Sequence, residues 1–248
     1  MATGIEEWKE KSSDAWIDFC DKVESKGGPV GEFVSRNILK RIVVNAPVLL
    51  GFVLICTLVH VCSVIYPGLR PILGVDERFT EYWNPFSYLS LFTHVVAHEN
   101  WPHLQGNMVH LLLVGPSVEA SFGSKNLFYI IVLVAFSSAL VHLFVGKAHT
   151  YQLGASGVVF ACILLSSLVT ASTGTLPLSF LIVATWWLGD EFWKFFFSGD
   201  AVSHHAHLSG GIVGTIAGYY IHKKRAEQAA KGVASKWLSG FRAAKKKE

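Results

Sequence analysis

Residues Ile42–Tyr66 read IVVNAPVLLGFVLICTLVHVCSVIY, without one Asp, Glu, Lys or Arg. A helix crosses the hydrocarbon of a bilayer with about 20 predominantly apolar residues, so this stretch alone predicts a membrane span. Composition agrees. Of 248 residues, 51% are hydrophobic and 16% charged, and mean hydropathy is +0.41, a balance seldom met in a soluble domain of this size. Outward from this span lie five more apolar segments, roughly His103–Ser121, Leu127–Val145, Ser156–Ser172, Pro177–Phe196 and His205–His222. The expectation is an all-α membrane protein with six transmembrane helices.

Six spans put both ends of the chain on one side. Of the 21 lysines and arginines, seventeen fall on that side: residues 1–41, Lys125 in the loop after the second span, and the tail from Lys223. Only Arg70, Arg78, Lys147 and Lys194 fall on the other. The positive-inside bias predicts cytoplasmic termini. The formal charge of +3 therefore reflects topology and contact with the bilayer, and gives no reason to expect nucleic acid.

The chain divides into a cytoplasmic amphipathic segment over 1–41, a six-helix domain over 42–222 and a basic cytoplasmic tail over 223–248. Ile5, Trp8, Ala15, Trp16, Phe19 and Val23 recur at helical spacing before Gly27-Gly28-Pro29 interrupts them. Val233, Trp237, Leu238 and Phe241 do the same in the tail. Both are read as interfacial helices. Glu6-Glu7 is unlike the basic start of a cleavable signal, so the first span reads as a retained anchor. Cys20, Cys56, Cys62 and Cys162 have spacing that suits neither zinc nor a disulfide framework; buried, inert thiols are expected.

Polar groups inside apolar segments are costly and tend to mark function. Pro102 suits the first turn of the second span, and His103, Asn107 and His110 then share one helical face. Gly154-Ala155-Ser156-Gly157 opens the fourth span, and Ala206-His207-Leu208-Ser209-Gly210-Gly211 opens the sixth, from the same side of the membrane. Asn107, Ser156 and His207 thus come to similar depth on three helices. A serine beside an imidazole is a common activated nucleophile. Gly211, Gly214 and Gly218 follow on the face of His207, and such a strip lets a neighbouring helix approach closely. If that neighbour is the fourth helix, Ser156 and His207 meet.

Each feature alone has a blander reading. Gly-x-Ser-Gly and the glycine strip are ordinary helix packing, and His60, His142 or His222 reads best as a hydrogen-bonded or interfacial residue. His94, His98 and His103 lack zincin spacing, and Pro102 interrupts them, so no metal or other cofactor is expected. Asp190 and Glu191 read as interfacial partners of Lys194, and Glu119 as structural. The conjunction on three helices favours catalysis.

With these motifs in view, residues 70–222 resemble the rhomboid intramembrane serine proteases. The matching elements are Leu91-Phe92-Thr93-His94 with His98, His103-x-x-x-Asn107, Gly115-Pro116-x-x-Glu119-x-x-Phe122-Gly123, Gly154-x-Ser156-Gly157 and Ser203-His204-x-Ala206-His207-x-x-Gly210, in the family's order. The resemblance implies a six-helix bundle, a Ser156–His207 dyad without a third acid, and an oxyanion site formed by His103 and Asn107. It also implies cleavage of single-pass membrane proteins without a metal, and a lateral gate at the fifth helix. Many relatives carry a Trp-Arg pair before the Leu-x-Thr element, where this chain has Leu89 and Ser90; the bracing of the 67–102 loop is therefore open. Two other functions stay open: a non-proteolytic rhomboid-like binder of membrane helices, and a histidine-lined transporter or proton channel.

Overall fold

A computed structural model describes residues 3–76, 85–146, 150–169, 175–197 and 203–245. Arg78, Lys147, Ser172, Lys246 and Lys247 lie outside them, as do the side chains of Ile5, Trp8, His222, Val233, Trp237, Leu238 and Phe241. Among the described residues every regular element is helical.

The N-terminal segment is a helical hairpin, α1 (Thr3–Lys26) and α2 (Gly28–Asn37). The expected break at Gly27-Gly28-Pro29 is its turn. Gly28 takes φ +58°, a conformation that costs glycine nothing. A Cβ on Gly27 would stand 2.7 Å from the Val23 carbonyl oxygen. Ser35 Oγ donates to the Cys20 carbonyl at 2.8 Å, and Trp16 Nε1 donates to the Leu39 carbonyl at 3.2 Å, closing the hairpin onto the turn that leads out of it.

Six long helices follow: α3 (Pro47–Ile65), α6 (Trp101–Phe122), α7 (Ser124–Val145), α8 (Ser156–Leu168), α9 (Leu178–Phe197) and α10 (His204–Lys245). Short α4 (Leu69–Leu73) and α5 (Pro85–Thr93) occupy the connection between α3 and α6. Two of the six, α3 and α7, are long and apolar enough to cross a membrane by length and composition. The others fall short for physical reasons. Helix α8 has 13 residues, α6 and α10 open with polar histidines, and α9 carries Asp190, Glu191 and Lys194.

Helix α8 forms the centre of the bundle. Gly157, Val158, Val159, Ala161, Cys162, Leu164, Leu165 and Leu168 are buried, so it is enclosed on all sides rather than along one stripe. Helix α10 packs along it. Gly210 lies so close to Gly157 that a Cβ would fall 2.7 Å from the Gly157 Cα and carbonyl carbon; Gly214 meets Ala161 and Gly218 meets Leu165. The close-approach face is therefore Gly210–Gly214–Gly218, spaced by four. Gly211 instead faces Leu164 and Leu188, between α8 and α9. Helix α10 runs unbroken past residue 222, so no change of structure marks the boundary read there.

Glu119 is structural, as its sequence context suggests. Its carboxylate accepts the Val48 and Leu49 N–H groups at 3.1 and 2.9 Å. These are among the orphan donors of a helix start, and a negative charge is favourable there. The thiol expectation holds for Cys20, Cys56 and Cys162, which are buried; Cys62 is exposed, on the outer face of α3.

Candidate active site

Helix α6 starts as the sequence predicts. Pro102 occupies its first turn, and the N-cap Asn100 accepts the His103 N–H at 2.9 Å through Oδ1. Its buried stripe runs through Leu104, Met108, Leu111 and Gly115. At about 100° per residue, Asn107 lies about 70° from the centre of that stripe, and His103 and His110 lie about 110° and 130° from it, past its edge. Asn107 is buried, and its Nδ2 has no hydrogen-bond partner among the described residues. His110 does not share the site. It is exposed, and its Nδ1 meets the Gly106 carbonyl of its own helix at 2.7 Å. Among the described residues, the chain at Gly154 covers this side of α6 at His103 and leaves it open at His110.

Gly154 enters α8 with φ +121°, a region L side chains rarely adopt. A Cβ there would also stand 2.7 and 2.8 Å from His103 Cε1 and Nε2, and 3.7 Å from Asn107 Nδ2. His103 and Asn107 therefore lie against the backbone two residues before Ser156. Ser156 is the first residue of α8. The first N–H groups of a helix have no acceptor within it and form its positive end.

This approach is held by the connection between α3 and α6. The Gly154 N–H donates to the His94 carbonyl at 2.9 Å, and the Ala155 N–H donates to His98 Nε2 at 3.3 Å. His94 Nε2 donates to the Ala135 carbonyl at 3.0 Å. Val75 and Gln152 exchange backbone bonds of 3.3 and 2.8 Å. Burial holds both imidazoles neutral, His94 at a pKa of about 4 and His98 at about 3, the latter helped by neighbouring His103. A neutral ring is what His98 needs to accept the Ala155 proton. His94 and His98 thus brace the segment for which no Trp-Arg pair is present.

His207 reaches α8 from the first turn of α10. Its ring stacks on Phe160, with centroids 4.4 Å apart and planes at 11°; Phe160 stands one turn after Ser156 and also contacts Trp187, at 4.9 Å. The Gly157–Gly210 contact fixes the two backbones one residue after Ser156 and three after His207. The sequence-predicted Ser156, His207, His103 and Asn107 are gathered at one end of the bundle.

Sequence reasoning missed what holds the other edge of the imidazole. His207 Nδ1 donates to Glu191 Oε2 at 2.9 Å, and His204 Nδ1 donates to the same oxygen at 2.7 Å. Asp190 pairs with Lys194 at 2.6 Å on the exposed side of α9, while Glu191 is buried against α10. The shared reading of Asp190 and Glu191 as partners of Lys194 therefore holds for Asp190, whereas Glu191 turns to His204 and His207. The available signal was one cation next to two acids. Glu191, His204 and His207 also place three potential ligand atoms within 4.8 Å of one another, a spacing a metal ion could use. His142 Nδ1 and His205 Nε2 lie 3.0 Å apart nearby.

The rhomboid domain family model matches residues 83–224. Rhomboid-like protein 11, chloroplastic, of Arabidopsis thaliana is 25% identical over 155 residues, 57% of this chain and 55% of that protein. Rhomboid-like protein 15 of the same plant is 27% identical over 136 residues, 47% of this chain and 34% of that one. Rhomboid protease GlpG of Serratia proteamaculans (strain 568) is 27% identical over 193 residues, 73% of this chain and 64% of that one. The chain thus spans between one third and just under two thirds of these relatives.

Proposed function

The chain belongs to the rhomboid family of integral membrane proteins, and we propose that it is a serine endopeptidase that cuts transmembrane helices of single-pass membrane proteins. The observation that supports this most is the meeting of α8 and α10 at Gly157 and Gly210, which brings Ser156 and His207 into one neighbourhood with His103 and Asn107. Helices α3, α6, α7, α8, α9 and α10 serve as the six spans, with both termini in the cytoplasm.

In this reading His207 Nε2 takes the Ser156 hydroxyl proton as Oγ attacks the scissile carbonyl, then delivers it to the departing amine. The oxyanion meets Asn107 Nδ2, a buried donor with no partner among the described residues, together with His103 and the N–H groups that open α8. Preorganised donors of this kind contribute about 3 kcal/mol each. A substrate helix satisfies its own backbone bonds and must unwind before its carbonyl is reachable, which lipid does not tolerate. Suitable substrates therefore carry glycine, proline or polar residues near the non-cytoplasmic end of their span.

The test is cleavage of a transmembrane reporter by the purified chain beside Ser156→Ala, His207→Ala and the double variant. Each single variant should be inactive, with little further loss in the double, because groups acting as a unit are non-additive. Binding of the reporter without cleavage by the wild type would favour the non-proteolytic binder; ion flux in liposomes that survives Ser156→Ala would favour the transporter.

A further inference from the structure

We propose, resting on the protease reading above, that Glu191 of α9 is a positioning residue that makes the Ser156–His207 pair a three-membered relay. The resemblance implies a dyad with no acid, and this chain departs from it in a definite way. Glu191 is the one buried residue among those described in the twenty of α9. Its Oε2 lies 2.9 Å from His207 Nδ1 and 2.7 Å from His204 Nδ1, and all three side chains are about nine-tenths buried.

The tautomer follows from the donor inventory. A carboxylate only accepts, so each Nδ1 carries the proton. A neutral His207 then keeps its lone pair on Nε2, the nitrogen that must receive the serine proton. A ring with no acceptor at Nδ1 divides between two tautomers, and the Nε2–H form is useless as a base. Stacking on Phe160 fixes the plane of the ring but cannot choose between the nitrogens. Glu191 does. His204, donating to the same oxygen, holds the carboxylate rotamer and helps offset its desolvation.

The step balances. As the bond between Ser156 Oγ and the carbonyl carbon forms, the hydroxyl proton moves to Nε2 and the carbonyl π pair becomes the oxyanion. The Nδ1 proton stays on His207, and Glu191 remains a carboxylate facing the new imidazolium. On collapse the C–N bond breaks, and the Nε2 proton leaves with the amine. Docking α9 to the bundle is the rival role for Glu191. It predicts equal damage from any change of shape and no preference for charge.

The experiment measures kcat and KM per folded molecule of the full chain in detergent, for wild type, Ser156→Ala, Glu191→Gln, Glu191→Asp and His204→Asn. Glu191→Gln keeps the volume and loses the charge. It should lower kcat by about 10²–10⁴-fold, as for a mis-tautomerised triad, leave KM within about twofold, and slow fluorophosphonate labelling of Ser156 in parallel. Glu191→Asp should recover part of kcat, and His204→Asn should cost less than Glu191→Gln. Wild-type kcat in Glu191→Gln overturns the relay and leaves the protease reading standing. Equal loss of activity and thermal stability in the Gln and Asp variants also overturns it, in favour of docking. Turnover abolished by EDTA and restored by Zn²⁺ overturns it by recasting the trio as metal ligands. A wild type that does not cleave, or a Ser156→Ala variant that does, removes the protease reading and the relay together.

Discussion

Adding one methyl group at Gly210 tests the geometry most directly. Its Cβ would fall 2.7 Å from the Gly157 Cα and carbonyl carbon, and nearer still to the carbonyl oxygen. Ordinary contact begins at about 3.5 Å, and the obstacle is backbone, which no rotamer change relieves. Helices α8 and α10 must separate by about 1 Å. Overpacking of this kind costs about 1–3 kcal/mol. The catalytic consequence is larger, because a displacement of about 1 Å at a reacting pair can cost about 10²-fold in rate. Gly210→Ala should therefore lower turnover of a transmembrane reporter by about 10²-fold while most of the protein stays folded in detergent. Gly51→Ala, whose Cβ would meet nothing within 4 Å, is the control; it should keep full activity and gain up to about 1 kcal/mol from helix propensity. Unchanged turnover and unfolding temperature in Gly210→Ala would refute the claim that this contact sets the distance between Ser156 and His207.

Asn107→Ala should reduce kcat by about 10²–10³-fold with little change in reporter binding or unfolding temperature, since Nδ2 has no partner to lose among the described residues and acts on charge that develops in the transition state; equal falls in binding and stability would mark it as structural. Burial keeps His94 neutral, its pKa lowered from 6.5 to about 4. Its stabilising contribution is complete above about pH 6.5 and is lost as pH falls towards 4, so the unfolding temperature should drop across that window, and less steeply in His94→Gln. In a cysteine-free background, an impermeant thiol reagent applied to intact cells should label Asp76→Cys and not Lys236→Cys; the reverse would invert the proposed topology.

Much of this site was legible in the sequence because its logic is helical. Pro102, Ser156 and His207 each stand at a helix start, and spacing of three and four along α6 and α10 puts the remaining polar groups and glycines on calculable faces. What periodicity gives is a face, not a neighbour. His110 shares a side of α6 with His103, yet the covering chain at Gly154 reaches only one of them. The packing strip shifted from Gly211 to Gly210 for a related reason: both lie within one helical step, and only the position of α8 decides between them. Glu191 was misread because Lys194 offered a local partner, and a contact across sixteen residues of sequence has no periodic signature. His94 and His98 stood out as motif residues, but their work, receiving the N–H groups of Gly154 and Ala155, becomes visible only once two distant segments are adjacent.

The shortness of α8 has a consequence for where a substrate would be cut. Thirteen residues at about 1.5 Å each extend about 20 Å, against about 30 Å of hydrocarbon. On the proposed topology, with Leu168 at the cytoplasmic boundary, Ser156 stands about 10 Å beneath the opposite one. The helix then acts as a ruler: measured along a straight substrate span, the reachable bond lies about seven residues in from its non-cytoplasmic edge. Lengthening α8 by one turn would shift that mark outward by about 5.4 Å, and the ends of the released peptides would report the shift residue by residue.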